Sequence, residues 1–560
     1  MNKKLRVGLL LDSFSISAWS LKMIENIINS SFAEITLVVI NDNNDAILPK
    51  KTLYQKIMNN RGKIRYLLVR KFLEMIYSNL IERKTYILDS NENKNCEKIL
   101  KECTVIKAKT IRKKWSDHFY DEDIKKIREH NIDILIRSGF GILRGDILNS
   151  AKYGVWSFHH GDNIINRGGP ACFWESMQSW PETGSILQIL TEDLDNGKVL
   201  YKSYSCTDNM SVKDNRSSVY WKSLSFMTRK MQDLYNIGEK DFFEEVFYEN
   251  RHPIFYSDRL YKTPTNRELS LLTFNKVIEK TKLLYNNSFF LDQWILMFHF
   301  KNELSSSLWR YKKIIPPKDR FWADPHILYR ENKYFIFIEE YIYKTQKGHI
   351  SLITMDESGV YSKPEVILNK SYHLSYPFVF EYKNEYYMIP ESNSNKTIEL
   401  YKCVEFPYKW EFQMNLMEDV TAVDATILYH NNRWWMFANI AENDGASTHD
   451  ELFLFYSNEL YSTDWKPHPQ NPIVSDCKSA RPAGKIFSQN GKLYRPSQNC
   501  SIRYGYGFNI NEITVFNDQK YAESLISTVK PNWDKSILGT HTFNRANSLH
   551  VIDALYRRRR

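Results

Sequence analysis

The feature that most constrains the fold is a repeated aromatic hairpin in the second half of this 560-residue chain. Segments 323–340, 375–392 and 423–440 each contain a strand-like run, a polar turn with asparagine and a second, aromatic run. That is the pattern of a β-hairpin. A divergent copy lies at 480–498, and a last fragment at 540–554 begins in a similar way. Strand-rich repeats at intervals of 48 to 60 residues predict an all-β propeller with five blades.

The repeats also align two sets of polar positions. The first set recurs after 52, 48, 57 and 60 residues, at Asp324, Tyr376, Asp424, Arg481 and His541. The second set lies fifteen residues after the first three members of the first set, at Glu339, Glu391 and Asn439. If two further residues are allowed in the fourth repeat, Gln498 joins this second set. Polar side chains at the ends of inner blade strands face a central funnel. We therefore predict a carbohydrate-binding ring of Asp324, Glu391, Asp424, Arg481 and His541. In the alternative interpretation, the aspartates only cap backbone amides where strands begin.

Residues 1–235 have a different periodicity. Buried strand-like runs (`RVGLLL`, `ITLVVIND`, `DILIRSGF` and `GVWSFHH`) alternate with segments of helical spacing. This order predicts a Rossmann-like α/β domain with a parallel sheet, whose ligand sites lie beyond the carboxyl ends of the strands. No G-x-G-x-x-G follows the first strand, so the sequence does not predict a dinucleotide site. We expect an α/β domain at 1–235, a partly helical connector at 236–300 and the propeller at 301–560.

A histidine-containing segment follows the last of these strands, `YGVWSFHHGDNIINRGGPACFWE` at 153–175. A second polar segment, `QILTEDLDNGKVLY` at 188–201, follows another strand. His159 by itself has two interpretations, a hydrogen-bonded core histidine or a catalytic group. The Arg167-Gly168 turn is either a tight turn or part of a ligand loop. No third candidate metal ligand lies at a characteristic sequence spacing from His160 and Asp162, so we predict no bound metal ion.

These two segments resemble the formyltransferase family, which includes methionyl-tRNA, glycinamide-ribonucleotide and sugar-nucleotide N-formyltransferases. The resemblance rests on Ser157-Phe158-His159, Arg167-Gly168 and Asp195-Asn196-Gly197, together with `DILIRSGFGILRGDIL` at 133–148. It implies a formyltransferase-type fold, 10-formyltetrahydrofolate as the formyl donor, and catalysis by Ser157, His159 and Asp195. In that chemistry a histidine moves the proton or stabilises the carbonyl oxygen, and an aspartate orients the histidine.

Ser157 departs from the family pattern, which has asparagine at this position. Loss of one oxyanion donor costs roughly 100- to 1,000-fold in rate in hydrolases. The resemblance further implies that the loop residues bind substrate, and three of them (His160, Asp162 and Asn163) are candidates to replace the lost donor. The complete set is His160, Asp162, Asn163, Arg167 and Gly168.

The propeller half resembles two other families. The resemblance is carried by `FWADPHIL`, `SYPFVFEYKNEYYMIPES`, `VDATILYHNNRWWMFA` and `SARPAGKIFSQNGKLYRPSQ`. These segments look like the N-terminal propeller of glucosamine inositolphosphorylceramide transferases and, more distantly, like five-bladed furanosidase-like glycoside hydrolases. The furanosidase resemblance implies a base on the first blade, matched by Asp324. The second-blade position is Tyr376, so the remaining hydrolytic carboxylates are not matched.

Composition limits the class of protein. The net charge of +10 is not concentrated in one patch, so we expect no nucleic-acid partner. The basic run 557–560 is either a solvated tail or a contact for peripheral association with anionic membranes. The seven cysteines include no C-x-x-C pair and predict no disulfide framework. We interpret `LRVGLLLD` as a buried strand rather than a signal peptide and expect a cytoplasmic protein.

These observations favour a formyltransferase-like enzyme of carbohydrate or surface-glycan biosynthesis. It would N-formylate an amino sugar or sugar nucleotide, with the propeller binding the carbohydrate. Two alternatives stay open. One is a glycosyl or other group transferase that uses the propeller carboxylates. The other is a non-catalytic glycan-binding protein with a degenerate transferase domain.

Overall fold

The structure is a computed structural model that describes residues 3–43, 61–82, 87–113, 116–193, 196–304 and 307–560. The chain forms two compact units. The first comprises Met1–Ser203, Thr207–Lys280 and Asn443–Ala446, and the second comprises Tyr204–Cys206, Thr281–Glu442 and Ser447–Arg560.

The first unit is built on a seven-stranded sheet. Its strands, in spatial order, are Lys198–Cys206, Glu182–Ile189, Val155–His159, Ile134–Arg137, Leu5–Leu11, Ala33–Asn41 and Thr104–Ala108. The last five are parallel to one another, whereas Glu182–Ile189 runs antiparallel to Val155–His159. The central strands are almost entirely buried and apolar, as expected for a parallel sheet covered on both faces.

Helices cover this sheet, and local sequence explains their ends. Asp121–Glu129 has three acidic residues in its first turn, where they complement the helix dipole, and it buries Ile124 and Ile127. Ser211 accepts a hydrogen bond from the amide of Asp214 and so begins Val212–Glu249. The remaining helical segments of the described chain are Ala18–Ile28, Arg61–Ile76, Tyr77–Ile81, Asp146–Asn149, Phe173–Met177, Asn266–Phe289, Leu308–Arg310 and Asn393–Asn395. Short strands add two small sheets, formed by Ser15–Ser17, Asn93–Asn95, Thr110–Lys113, Ser116–Phe119 and Ile142–Leu143.

The second unit consists of five antiparallel sheets, the blades of a β-propeller. Blade 1 contains Arg320–Arg330, Lys333–Ile342, Lys347–Asp356 and Glu365–Leu368, and blade 2 contains Ser375–Tyr382, Glu385–Ser392, Thr397–Glu405 and Lys409–Glu418. Blade 3 contains Ala422–His430, Arg433–Ile440, Glu451–Ser457, Lys466–Pro467 and Val474–Ser475. Blade 4 contains Phe487–Gln489, Lys492–Asn499, Gly507–Phe516 and Tyr521–Val529. Blade 5 contains Phe290–Phe300, Lys312–Ile314, Ile537–Gly539, Phe543–Ala546 and Leu549–Arg559.

Blade 5 joins the two ends of the propeller sequence. Phe290–Phe300 precedes blade 1 in the chain, but it pairs along its whole length with Leu549–Arg559. The propeller therefore begins before residue 301, and the expected connector over 236–300 loses its last eleven residues to this strand. The basic run at 557–560 is not a free tail, because Arg557 donates two hydrogen bonds of 2.7 Å to Asp292 on the paired strand.

The first strand of blades 1 to 3 carries the same backbone irregularity. Asp324, Tyr376 and Asp424 have φ angles of 50°, 39° and 53°, and the strand register shifts at each of them. Positive φ is uncommon for residues other than glycine and costs free energy, so such residues cluster where the surrounding structure requires the geometry. These three positions, which align in the sequence, are thus also equivalent in the structures of their blades.

None of the helices in the described residues is both long and apolar enough to span a bilayer.

Candidate functional site

In the first unit, the candidate site begins on the strand Val155–His159. Side chains two residues apart on a strand share a face, so Ser157 and His159 project to the same side of the sheet. Ser157 is buried, and its Oγ accepts a 3.3 Å hydrogen bond from Nη1 of Arg137 on the neighbouring parallel strand. His159 is buried at the carboxyl end of its strand, the edge at which ligand sites of parallel sheets form.

A hydrogen bond to the following loop fixes the imidazole of His159. Its Nε2 lies 2.7 Å from the backbone carbonyl oxygen of Asn166. A carbonyl oxygen can only accept, so Nε2 carries a proton that it donates to Asn166. This hydrogen bond fixes the orientation of the ring.

Two sets of hydrogen bonds fix side chains of the loop after His159. Asp162 accepts from Nζ of Lys202 at 2.7 Å and from the amide of Ile164 at 2.9 Å. Arg167 donates from Nε to the carbonyl of Asn163 at 2.7 Å and from Nη2 to Oδ1 of Asn196 at 3.3 Å. The structure thus brings most of the predicted loop residues together.

Asn163 differs from its neighbours. Its side chain is 2% exposed, and its Nδ2 has no hydrogen-bond partner among the residues that the structure describes. A buried amide without a partner costs free energy, and such a group in a cleft is a candidate ligand donor.

Two other predicted loop residues have packing roles. His160 stacks on Tyr220 at a ring-centroid distance of 3.8 Å, and its Nε2 lies 3.0 Å from Oγ of Ser223. Burial, with smaller contributions from His159 and nearby cations, lowers the pKa of His160 to about 3, so this ring is neutral. Gly168 lies against the carbonyl of Tyr261, where a Cβ would collide with backbone. Substrate binding by either residue stays a prediction.

Asp195, the predicted partner of His159, lies outside the described residues, and its role also stays a prediction.

In the second unit, the predicted ring residues converge at the centre of the propeller. His541 lies between two buried carboxylates, with Nε2 3.1 Å from Oδ1 of Asp324 and Nδ1 2.9 Å from Oδ2 of Asp553. Burial disfavours the charged ring, but the charges of Asp553 and Asp324 outweigh it and raise the pKa of His541 to about 10. Burial likewise opposes the charge of Asp324, but the charge of His541 overcomes it and lowers the pKa of that carboxyl to about 2. The protonated form of His541 is therefore favoured at neutral pH.

These three residues also have the chemistry of a metal site. Their ligand atoms all lie within 4.8 Å of one another. A histidine must be neutral to bind a metal, however, and the raised pKa of His541 favours the imidazolium. A metal would have to displace that proton, so the residues fit an internal ion pair better than a metal centre.

A second ion cluster links blades 2, 3 and 4. Arg481 donates from Nε to Oδ2 of Asp424 at 2.5 Å and from Nη2 to Oδ1 of the same carboxylate at 3.2 Å. Its Nη2 also lies 3.4 Å from Oε2 of Glu391, and its Nη1 lies 2.9 Å from Nδ1 of His449. Gln498 donates to Oδ2 of Asp424 at 2.8 Å. Asp424 is therefore fully engaged, and Glu391 is the less tightly held carboxyl.

The centre contains more carboxyl groups than cations. Asp324, Glu339, Glu391, Asp424 and Asp553 face Arg481 and protonated His541. Burial and the charge of Asp324 raise the pKa of Glu339 well above its usual range, and burial and the charge of Asp424 do the same to Glu391. Burial and neighbouring negative charge therefore favour the protonated form of the two glutamates.

Aromatic side chains border these clusters. Tyr504 is 39% exposed, and its ring lies 4.9 Å from the guanidinium carbon of Arg481 and 5.2 Å from the ring of His541. The ring of Trp294 lies 4.3 Å from that of His541. An accessible aromatic face beside polar groups suits a sugar, whose ring has an apolar face and polar edges.

Tyr376 does not take part as a polar ring member. Its hydroxyl lies 2.8 Å from Oγ1 of Thr426 and accepts from the amide of Gly484 at 2.9 Å. The side chain is completely buried and joins blades 2, 3 and 4.

The sequence did not single out several residues of these sites. In the first unit, these are Arg137, Asn166 and Glu175; in the second, they are His449, Tyr504 and Asp553. Asp553 lies twelve residues after His541, whereas Glu339 lies fifteen residues after Asp324. The hairpin of blade 5 is shorter than that of blade 1, so a fixed offset of fifteen residues does not reach Asp553.

Comparison with known proteins matches the two units to different relatives. Residues 314–556 match the family model for the N-terminal region of glucosamine inositolphosphorylceramide transferase 1. Over 206 residues the chain is 35% identical to that transferase from Oryza sativa subsp. japonica and 33% identical to the one from Arabidopsis thaliana. Each match covers 36% of this chain and 27% of the plant protein. The chain thus spans about a quarter of the length of these relatives.

A fourth curated relative is a methionyl-tRNA formyltransferase from Bacillus subtilis (strain 168). It is 26% identical over 200 residues, which are 35% of this chain and 58% of that protein. Among solved structures, a family 117 glycoside hydrolase from Zobellia galactanivorans superposes with a TM-score of 0.32 and 10% identity, covering 47% of this chain and 90% of that one. A likeness this low carries no argument. The curated relatives named here are transferases.

Proposed function

We propose that this chain is a transferase of carbohydrate or surface-glycan biosynthesis that N-formylates an amino sugar or sugar nucleotide. The observation that carries the proposal is the fixed imidazole of His159 at the carboxyl end of a parallel strand. The similarity to a formyltransferase and to glycan-related transferases supports the same class of reaction.

We propose that the residues around His159 bind the formyl donor. 10-Formyltetrahydrofolate supplies an activated formyl group when bound. The attacking amine must lose a proton, and we propose that His159 takes part in that transfer. The oxygen of the formyl group gains negative charge, and an amide donor stabilises it.

Asn163 is the candidate for that donor. His160 bonds to Ser223 and Asp162 bonds to Lys202, whereas the buried Nδ2 of Asn163 is unpartnered within the described ranges. We propose that Asn163 supplies the amide that Ser157 cannot.

We propose that the propeller centre binds the carbohydrate. Protonated glutamates can donate as well as accept hydrogen bonds, which matches sugar hydroxyls, and Tyr504 offers an accessible ring. We also propose a cytoplasmic location with peripheral association at membranes.

The proposal is tested by calorimetric titration of the full chain with 5-formyltetrahydrofolate, a stable analogue of the donor. We expect binding that Asn163→Ala weakens about tenfold, the effect of one lost hydrogen bond of roughly 1.4 kcal/mol. Gln178→Ala, at an exposed position of the same unit, is the matched control and should bind like the parent. Absence of binding by the folded parent would reject formyl transfer.

A second candidate function rests on Glu391. Burial and the nearby Asp424 raise the pKa of Glu391 and favour its protonated form, and a carboxyl with a raised pKa beside a second carboxyl is the arrangement of a general acid with its partner. This arrangement favours a glycosyl or other group transfer in the propeller. If Glu391→Gln abolishes turnover while His159→Ala leaves it intact, this candidate replaces the first. Sugar binding without turnover in any condition would instead indicate a non-catalytic glycan-binding protein.

A further inference from the structure

A cavity, here called the outer cavity, lies on the two outermost strands of blade 4. Residues of Gly507–Phe516 and Tyr521–Val529 line it, together with Ile473 and Val474 of blade 3. Its volume is about 620 Å³, within the range of roughly 300–1,000 Å³ that is usual for small-molecule sites. Among the described residues, its lining includes none of the five predicted ring residues, so it is separate from the propeller centre.

Two cross-strand pairs place polar side chains on one face of blade 4. Asn509 lies opposite Thr528 in the antiparallel ladder. Asn511, two residues further along the strand, lies opposite Leu525. Opposite residues and residues two apart share a face of a sheet, and all four of these residues line the outer cavity. Both asparagines are 2% exposed, so their amides are shielded from bulk water.

The amide of Asn509 presents an unused acceptor. Its Nδ2 donates a 2.6 Å hydrogen bond to the backbone carbonyl of Lys478, which fixes the orientation of the amide. Its Oδ1 is buried and has no hydrogen-bond partner within the described ranges. A buried acceptor without a donor costs free energy, so a ligand that brings a hydroxyl group to this oxygen would recover that cost.

Glu523 supplies a second acceptor on the cavity lining. Its carboxylate accepts from Nε and Nη2 of Arg495 at 2.8 and 2.6 Å, and from the hydroxyl of Tyr521 at 2.6 Å. Arg495 is 1% exposed, so this pair of bonds holds the carboxylate from behind. A carboxylate has about four acceptor positions, and the three bonds leave capacity for a ligand.

The charges around the outer cavity balance one another. Arg495 neutralises Glu523, and Nζ of Lys478 lies 3.7 Å from Oδ2 of Asp476. No excess of positive charge among these four groups would attract a phosphate or a carboxylate ligand. Ile473 and Leu525 add apolar surface to the lining. Fixed acceptors, balanced charge and some apolar surface suit a neutral molecule that carries several hydroxyl groups.

We propose that the outer cavity binds a neutral sugar unit, whose hydroxyl groups donate to Oδ1 of Asn509 and to the carboxylate of Glu523. This site goes beyond the proposed function, which places the carbohydrate at the propeller centre. It requires neither formyl transfer nor the central ring residues.

The test is NMR of the full chain with ¹³C-labelled isoleucine methyl groups. The probes are the methyl glycosides of glucose, galactose and N-acetylglucosamine, with inorganic phosphate as the charged comparison. The Ile473 signal, assigned by its loss in Ile473→Val, should shift saturably with at least one glycoside and should not move with phosphate. Ile510 lies on the opposite face of its strand, in the core of the propeller, so its signal is the internal control and should stay in place.

Variants locate the binding. Asn509→Leu keeps a side chain of similar size but removes the acceptor, and it should weaken the glycoside affinity by about tenfold or more. Tyr504→Ala removes the accessible ring at the propeller centre and should leave the Ile473 shift intact. If Asn509→Leu does not fold, Leu525→Trp at an exposed position should fill the outer cavity and abolish the shift. Ile526→Trp, at the next exposed position and off the lining, is its matched control and should bind like the parent.

Four results would overturn the proposal. These are an Ile473 signal that no glycoside moves, a shift caused by phosphate, a shift that Tyr504→Ala removes, and an unchanged affinity in folded Asn509→Leu or, in its place, Leu525→Trp. The experiment uses no formyl donor. A chain that binds glycosides in the outer cavity but does not formylate would therefore reject the proposed reaction and support this site, and the reverse result would do the opposite.

Discussion

Replacement of His541 by glutamine should change how the stability of the propeller depends on pH. In the parent, His541 has a pKa raised to about 10 from an ordinary value of 6.5. Each pKa unit corresponds to about 1.4 kcal/mol, so the charged ring contributes on the order of 5 kcal/mol to stability. A group with a raised pKa contributes fully below its unfolded pKa, and this contribution is lost as the pH rises from about 6.5 towards 10.

The variant leaves Asp324 and Asp553 facing each other without the cation. Removal of one partner from a buried ion pair costs about 3–5 kcal/mol, and one of the two carboxyls should then bind a proton. His541→Gln should therefore be less stable than the parent at pH 7, should gain stability as the pH falls towards 5, and should approach the parent near pH 10. Urea unfolding at each pH, read by hydrogen exchange in Leu549–Arg559, reports on the propeller.

A double variant provides the control. Asp324→Asn removes the excess negative charge, so the pair His541→Gln, Asp324→Asn should recover part of the lost stability at pH 7. A parent whose propeller is equally stable at pH 7 and pH 10, or a single variant with the same deficit at both values, would refute the charge assignment of His541.

Three further predictions follow from single contacts. Arg481→Met should destabilise the propeller by about 3–5 kcal/mol in urea unfolding, because it leaves Asp424 buried without its cation; a loss below about 1 kcal/mol would contradict the pairing. Glu391→Gln imitates the protonated carboxyl and should leave stability at pH 7–8 unchanged or higher, whereas a marked loss would mean that Glu391 is ionised. Gly168→Ala should lower the melting temperature of the first unit, since its Cβ meets the carbonyl of Tyr261, and an unchanged melting temperature would show that the loop can adjust.

Much of the propeller was predictable from its repeats. The hairpins of blades 1 to 3 match the predicted segments, because alternating aromatic residues and asparagine turns specify strands and their connection locally. The polar set was predictable for the same reason, since a fixed offset along a hairpin gives a fixed place in the blade. Closure by Phe290–Phe300 was not predictable, because pairing between residues 249 to 269 positions apart leaves no local pattern.

The roles of single residues depended on contacts that the repeats do not encode. Tyr376 occupies the same backbone position as Asp324 and Asp424, but its hydroxyl reaches between blades. In the first unit, the sequence indicated the histidine segment but did not distinguish the roles of its two histidines. In the structure His159 bonds to the carbonyl of Asn166, whereas His160 packs on Tyr220. No sequence pattern distinguished Glu175, because its hydrogen bond from Asn166 depends on the folded conformation of the loop.

The most direct test of the central claim is product analysis by mass spectrometry. The full chain is incubated with 10-formyltetrahydrofolate and a panel of amino sugars and nucleotide-linked amino sugars. We predict a product heavier by one formyl group in place of a hydrogen, formed by the parent and lost in His159→Ala, with Glu239→Gln as active as the parent. No formylated product from a folded parent that binds the sugars would contradict formyl transfer.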